Sequence, residues 1–238
     1  MSVESKSQSE GFITSLRGRL SAWWEGEEAQ EVDADVNSAS MDGGGDEAGD
    51  GIAWPAPRLA AAQMLFGEGC TYPGSKQAIT QLIEPLNLDE TKTVVDLCAG
   101  IGTATRIIVQ ETGAKVEGLE LDPAQLELAT RLAAQAGLGD KGAMIEGAIG
   151  NCNIEPDSRD AVFSRGALLG LAEKDAAFLE IWNILKPGGQ ALFADFMAKT
   201  ADEAKEDAAE WAKFEKMKPY LATVDQIRQG LSAAHLDV

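Results

Sequence analysis

Residues Thr93 to Thr112 constrain the fold more than any other part of the chain. Thr93-Val94-Val95-Asp96-Leu97 is a short, mostly β-branched apolar run, the pattern of a strand buried on both faces. Cys98-Ala99-Gly100-Ile101-Gly102 follows, built mainly from small residues. Thr103 to Thr112 then reads as a helix stopped by Gly113. A strand that passes through a glycine-bearing turn into a helix belongs to a crossover unit, and repeated units of that kind stack into a parallel sheet.

The units do repeat. Ser75 to Pro85 reads as a helix capped by Ser75. Val116 to Glu120 is a second strand, and Pro123 opens a helix at its favoured first position and runs to Gly137. Met144 to Glu146 is a weak third strand and Ala161 to Ser164 a fourth. Lys174 to Leu185 is a helix, and Lys186-Pro187-Gly188-Gly189 turns into a fifth strand, Gln190 to Asp195. Thr200 to Lys218 and Thr223 to Ala234 are further helices. The fold class is therefore α/β, a doubly wound, Rossmann-like, mostly parallel sheet in three α/β/α layers. Leu236 to Val238 begins a sixth strand, and the last strand of the sheet is expected to be missing or short.

The first 51 residues differ in kind. Glu25 to Asp50 holds ten acidic residues and no Lys or Arg. It is too polar to offset the entropy of ordering, so residues 1–51 are expected to be a largely disordered tail before a domain at 52–238. Within the tail, Phe12, Ile13, Leu16, Leu20, Trp23 and Trp24 recur at near-helical spacing with Arg17 and Arg19 between them. Two readings stay open for residues 11–24: a short helix docked on the domain, or a tethered contact for a membrane surface or partner protein.

The formal net charge of −19 opposes a polyanionic partner. The fourth strand continues as Ser164-Arg165-Gly166-Ala167, with neither an Asn-Pro-Pro-Tyr-like stretch nor a Pro-Cys pair, so no nucleic acid is expected. Cys70, Cys98 and Cys152 are odd in number and scattered, which points to a reducing, cytoplasmic setting and no disulfide framework. With His235 as the only histidine, no metal site is expected.

In such sheets ligands sit at the carboxyl ends of the strands. The small residues Cys98, Ala99, Gly100 and Gly102 let backbone approach a ligand, and Asp96 ends the strand where a carboxylate receives an amino group. Glu120 ends the next strand, placed to accept both hydroxyls of a ribose. A dinucleotide site would carry a third glycine, but Thr103, Ala104 and Thr105 follow Gly102.

Val94 to Gly102 resembles the first motif of class I S-adenosylmethionine-dependent methyltransferases, with Cys98 where glycine is usual. Gly118 to Asp122 resembles their second motif, and Leu185 to Gly189 their late turn. Phe66-Gly67-Glu68-Gly69-Cys70-Thr71-Tyr72-Pro73-Gly74 is similar to the segment with which phosphoethanolamine N-methyltransferases close over the cofactor. Ser164 to Leu171 is similar to their substrate-side strand end. The resemblance implies S-adenosylmethionine as cofactor. It implies cofactor contacts at Thr71, Tyr72, Asp96, Cys98, Ala99, Gly100, Gly102, Glu120, Leu121, Ala148, Ile149 and Arg165. That family has an acid where Gly166 stands, a histidine at Gly170, a tyrosine near Trp54 and another at Phe196. Ala148 replaces its adenine-contacting acid.

Asp195, Lys218 and Tyr220 are the remaining catalytic candidates. Two functions follow: methyl transfer to a small-molecule acceptor, an amine or a hydroxyl, or a non-catalytic protein that binds S-adenosylmethionine or S-adenosylhomocysteine to regulate or scaffold.

Overall fold

A computed structural model describes residues 56–148, 152–205, 208–209 and 219–238. The tail, its 11–24 segment, Trp54, Ile149 and Lys218 lie outside the described residues.

Five strands form one parallel sheet in the order β3-β2-β1-β4-β5. They are β1 (Thr93–Leu97), β2 (Lys115–Glu120), β3 (Gly142–Glu146), β4 (Arg159–Arg165) and β5 (Leu185–Ala194). The helices are α1 (Ala56–Phe66), α2 (Ser75–Ile83), α3 (Thr103–Thr112), α4 (Pro123–Gln135), α5 (Lys174–Ile184) and α6 (Val224–Ala233), with a further helical stretch at 201–205. The strand order reverses beside β1, so the β1 and β4 ends open a crevice at the switch point.

Alternation along the strands builds two cores. Val95, Leu97 and Val162 face α5 and α6, where Phe178, Ile181, Ile184, Ile227 and Leu231 close over them. Val94, Val116, Ala161 and Phe163 face α2 and α3, covered by Ile79, Ile83, Ile107 and Ile108. Each fully buried large side chain contributes about 1.5–3 kcal/mol. Caps fix where helices begin: the Asp122 carboxylate accepts from Ala124 and Gln125, and Thr223 forms a capping box with Gln226.

Three expectations need correction. Leu236 to Val238 form no strand; Leu236 donates its N–H to Leu231 and packs on the α5–α6 core, so the segment follows the end of a helix and pairs with no strand among the described residues. Lys186 to Gly189 do not precede β5 but bulge within it, because Arg159 pairs with Leu185 and Ala161 with Gln190. Helix α1 carries no sharp apolar stripe and was not read from the sequence.

Candidate active site

The carboxyl ends of β1 and β2 are laced together by backbone. Ala99 donates to the Leu119 carbonyl at 2.8 Å, and Gly102 donates to Ala99 at 2.8 Å. The turn needs left-handed backbone at Cys98 (φ 53°), Gly100 (φ 57°) and Gly102 (φ 71°). The two glycines take it freely, whereas Cys98 bears a strain of about 1–2 kcal/mol. Glycine at 102 also serves packing, since a Cβ there would lie 3.1 Å from the Met144 sulfur. The fit at Gly118 on β2 is tighter: a Cβ would meet Met144 Sδ at 2.6 Å and Thr105 Oγ1 at 2.7 Å.

Glu120 holds the loop through its carboxylate. Oε2 accepts from Gly100 N–H at 2.8 Å, and Oε1 accepts from Leu121 and Asp122, each at 2.9 Å. A carboxylate offers about four lone-pair sites, so roughly one remains on Oε2 for a ligand hydroxyl. A grip on both hydroxyls of a ribose requires the carboxylate to release one of these N–H groups. Leu121, directly after it, is exposed at the crevice.

Asp96 is buried, and Thr105 donates its hydroxyl to Oδ2 at 2.7 Å. Burial raises its pKa to about 7 against the help of Thr105, and nearby Glu120 raises it further. Enclosed in this way, Asp96 acts on a ligand mainly through its field. The Cys98 thiol reaches solvent on one side yet is crowded by protein. That desolvation and the carboxylates of Glu120, Asp96 and Asp195 push it up to about 12, so it stays protonated. Both shifts arise chiefly from burial, and the neighbouring carboxylates add to them.

On the β4 and β5 side, Tyr72 lies beneath the Arg165 guanidinium, 4.8 Å from carbon to ring centroid. Its hydroxyl is 3.7 Å from the place a Cβ on Gly166 would take. Asp195 accepts from Leu168 N–H at 2.7 Å and Phe196 N–H at 2.8 Å. Burial raises its pKa, while those bonds oppose the rise. Tyr220 donates its backbone N–H to Leu169 at 2.8 Å, and Lys174 Nζ reaches the carbonyls of Leu171 and Tyr220, each at 2.6 Å. The segments at 168–171 and 219–223 are thereby sewn together.

Residues 94–189 match the methyltransferase domain family. The chain is 28% identical over 181 residues to phosphoethanolamine N-methyltransferase 1 of Zea mays, covering 75% of this chain and 35% of that protein. It is 33% identical over 108 residues to a sterol 24-C-methyltransferase of Aspergillus fumigatus, covering 45% and 29%. The structure of Haemonchus contortus phosphoethanolamine N-methyltransferase 2 with phosphomonomethylethanolamine and S-adenosylhomocysteine superposes with a TM-score of 0.62 at 25% identity, covering 74% of this chain and 40% of that one. The chain spans about a third of the length of these curated relatives. These matches make the chain similar to class I S-adenosylmethionine-dependent methyltransferases, with the family match confined to residues 94–189.

Among the described residues the structure gathers most of those read from the sequence. Asp96, Cys98, Ala99, Gly100, Gly102, Glu120 and Leu121 lie at the carboxyl ends of β1 and β2, Tyr72 lies under Arg165 at the end of β4, and Thr71 precedes Tyr72 in the 67–74 segment. Ala148 follows β3 and is half-buried. The donor set suits S-adenosylmethionine, the cofactor of those methyltransferases: a loop free of bulky side chains, a carboxylate with a lone pair to spare, and a field that favours a cation. Asp195, a catalytic candidate, accepts one backbone N–H on each oxygen. Sequence reasoning missed Thr105, Arg106 and Lys174. Thr105 and Arg106 lie within the first turn of α3, on the side that returns toward the strand, and helical phase alone would have flagged them.

Proposed function

We propose that this chain uses S-adenosylmethionine to methylate a small-molecule acceptor, an amine or a hydroxyl. The observation that carries the reading is the strand-end loop, where left-handed backbone at Cys98, Gly100 and Gly102 leaves room for a ligand and Glu120, at the end of β2, bonds to Gly100 with a lone pair to spare. S-adenosylmethionine supplies a methyl group on positively charged sulfur, already activated for displacement. The protein's tasks are then alignment and exclusion of water. The Gly100 to Gly102 backbone and Glu120 fix the nucleoside, Asp96 stabilises the positive end through its field, and Tyr72 with Arg165 covers the mouth.

The acceptor side supports a substrate unlike a cationic phospho-amine. Gly166 and Gly170 offer no acid and no imidazole, and each oxygen of Asp195 already accepts one backbone N–H. An acceptor that loses its own proton readily, or a neutral amine, needs least help there. The same absence favours a second reading, a non-catalytic binder of the cofactor or its product.

Incubation of the full chain with methyl-labelled S-adenosylmethionine and panels of amines and alcohols separates the two. Label transferred to an acceptor supports the enzyme. Tight cofactor binding with no transfer to any acceptor or metabolite extract overturns it in favour of the binder.

A further inference from the structure

We propose that Arg106 is a positioning residue that links the glycine loop to the 67–74 segment and thereby sets the acceptor-side wall. Its ligand-bound test rests on the cofactor reading above; its ligand-free test does not. The guanidinium spans two backbone carbonyls, with Nη1 donating to Ile101 in the glycine loop and Nη2 to Gly69, each at 2.5 Å. The Thr103 hydroxyl donates to the same Gly69 carbonyl at 2.7 Å, so both its lone pairs are used. Gly69 N–H donates to Gln63 Oε1 at 2.9 Å, on the last turns of α1. The two peptide groups that flank the Gly69 Cα are therefore held, one from the helix before it and the other from the helix after the glycine loop.

Residue 69 must be glycine for this. Its φ is 70°, and a Cβ would stand 2.5 Å from Arg106 Nη2. Desolvation lowers the pKa of Arg106, and among the described residues it forms no ion pair. A half-buried cation held only by carbonyls is a costly way to fill space. What it provides is geometry, because a planar fork fixes two acceptors relative to each other. Three residues after Gly69, Tyr72 lies under Arg165 with its hydroxyl in the space before Gly166. Contacts thus run from Ile101 through Arg106 and Gly69 to the acceptor side.

Hydrogen exchange on the full chain tests the link, with and without S-adenosylmethionine, for wild type, Arg106→Met and Gly69→Ala. In wild type the cofactor should slow exchange at 98–102 and at 67–74 by about ten-fold or more. In Arg106→Met it should still slow 98–102, while slowing at 67–74 falls below about two-fold and β4 and β5 are unchanged. Equal slowing of 67–74 in variant and wild type overturns the proposal. If Arg106→Met does not fold, Gly69→Ala, which drives the guanidinium off the same carbonyl, must give that pattern or the proposal fails. If wild type binds no cofactor, the cofactor reading falls and the link is read without ligand. Arg106→Met must then speed exchange in both segments by about ten-fold, and a change in only one contradicts it.

Discussion

The two ends of the same strands treat their carboxylates in opposite ways. At the amino end, Asp160 at the start of β4 accepts from Thr93 and from Lys186 at 2.7 Å, with Lys92 nearby. Partial burial pushes its pKa up, but the Lys186 and Thr93 bonds outweigh that and bring it down to about 2. Glu117 likewise pairs with Arg159. At the carboxyl end, Asp96 stands near 7 and Asp195 is raised, with hydroxyl and backbone donors but no cation bonded to either. The amino end is electrostatically complete and serves the fold. At the carboxyl end burial dominates, and under the proposed function a sulfonium and an ammonium would add positive charge beside these carboxylates.

Substitutions can break or sharpen that contrast, and the largest effect is expected at Glu120. Glu120→Ala removes a charged acceptor from the ligand and frees three loop N–H groups. Cofactor affinity should fall about 100-fold by calorimetry, from about 1.5–3 kcal/mol of lost charge-assisted bonding. Asp96→Asn comes next, with affinity at neutral pH about ten-fold lower as the field is lost. It should also change the pH dependence of stability. A folded value near 7 against 3.8 unfolded means the ligand-free domain loses stability as pH rises between the two. Thermal melts of Asp96→Asn should lack that slope.

Asp160→Asn tests the other end. It should lower stability by about 1 kcal/mol after solvent screening and leave cofactor affinity unchanged. Because the folded value is depressed, the wild-type advantage is present above 3.8 and lost as pH falls through about 2. The smallest effect is expected at Cys98→Gly. Relief of the left-handed strain should stabilise the domain by up to about 1 kcal/mol in denaturant unfolding, with affinity nearly unchanged.

The amino-acid sequence exposes the strand-end loop well because its backbone geometry demands particular residues. Small residues, glycines and a carboxylate at a strand end leave marks at fixed spacing, as at Gly100, Gly102 and Glu120. The acceptor side is less legible because side chains act there and their roles depend on distant contacts. Asp195 reads as a catalytic candidate in the sequence, which shows nothing of the bonds it accepts from Leu168 and Phe196. Lys174 reads as the start of a helix and proves to join the 168–171 segment to Tyr220. Arg106 carries no motif signal of its own, and only the approach of Gly69 reveals its use. The fold follows the same division: β1, α3 and α4 agree with sequence expectation to within about two residues, whereas α1 lacks a stripe and the β5 bulge has no local signature.

The central claim is that the carboxyl end of this sheet receives a cation. It is tested most directly by calorimetric titration of S-adenosylmethionine into the full chain at about pH 5.5 and pH 7.5, in buffers of different ionisation enthalpy. The account predicts tighter binding at the higher pH, with proton release at the lower pH that shrinks at the higher as Asp96 gives up its proton to receive the cation. Absence of binding, or equal affinity at both pH values with no proton release, would contradict it.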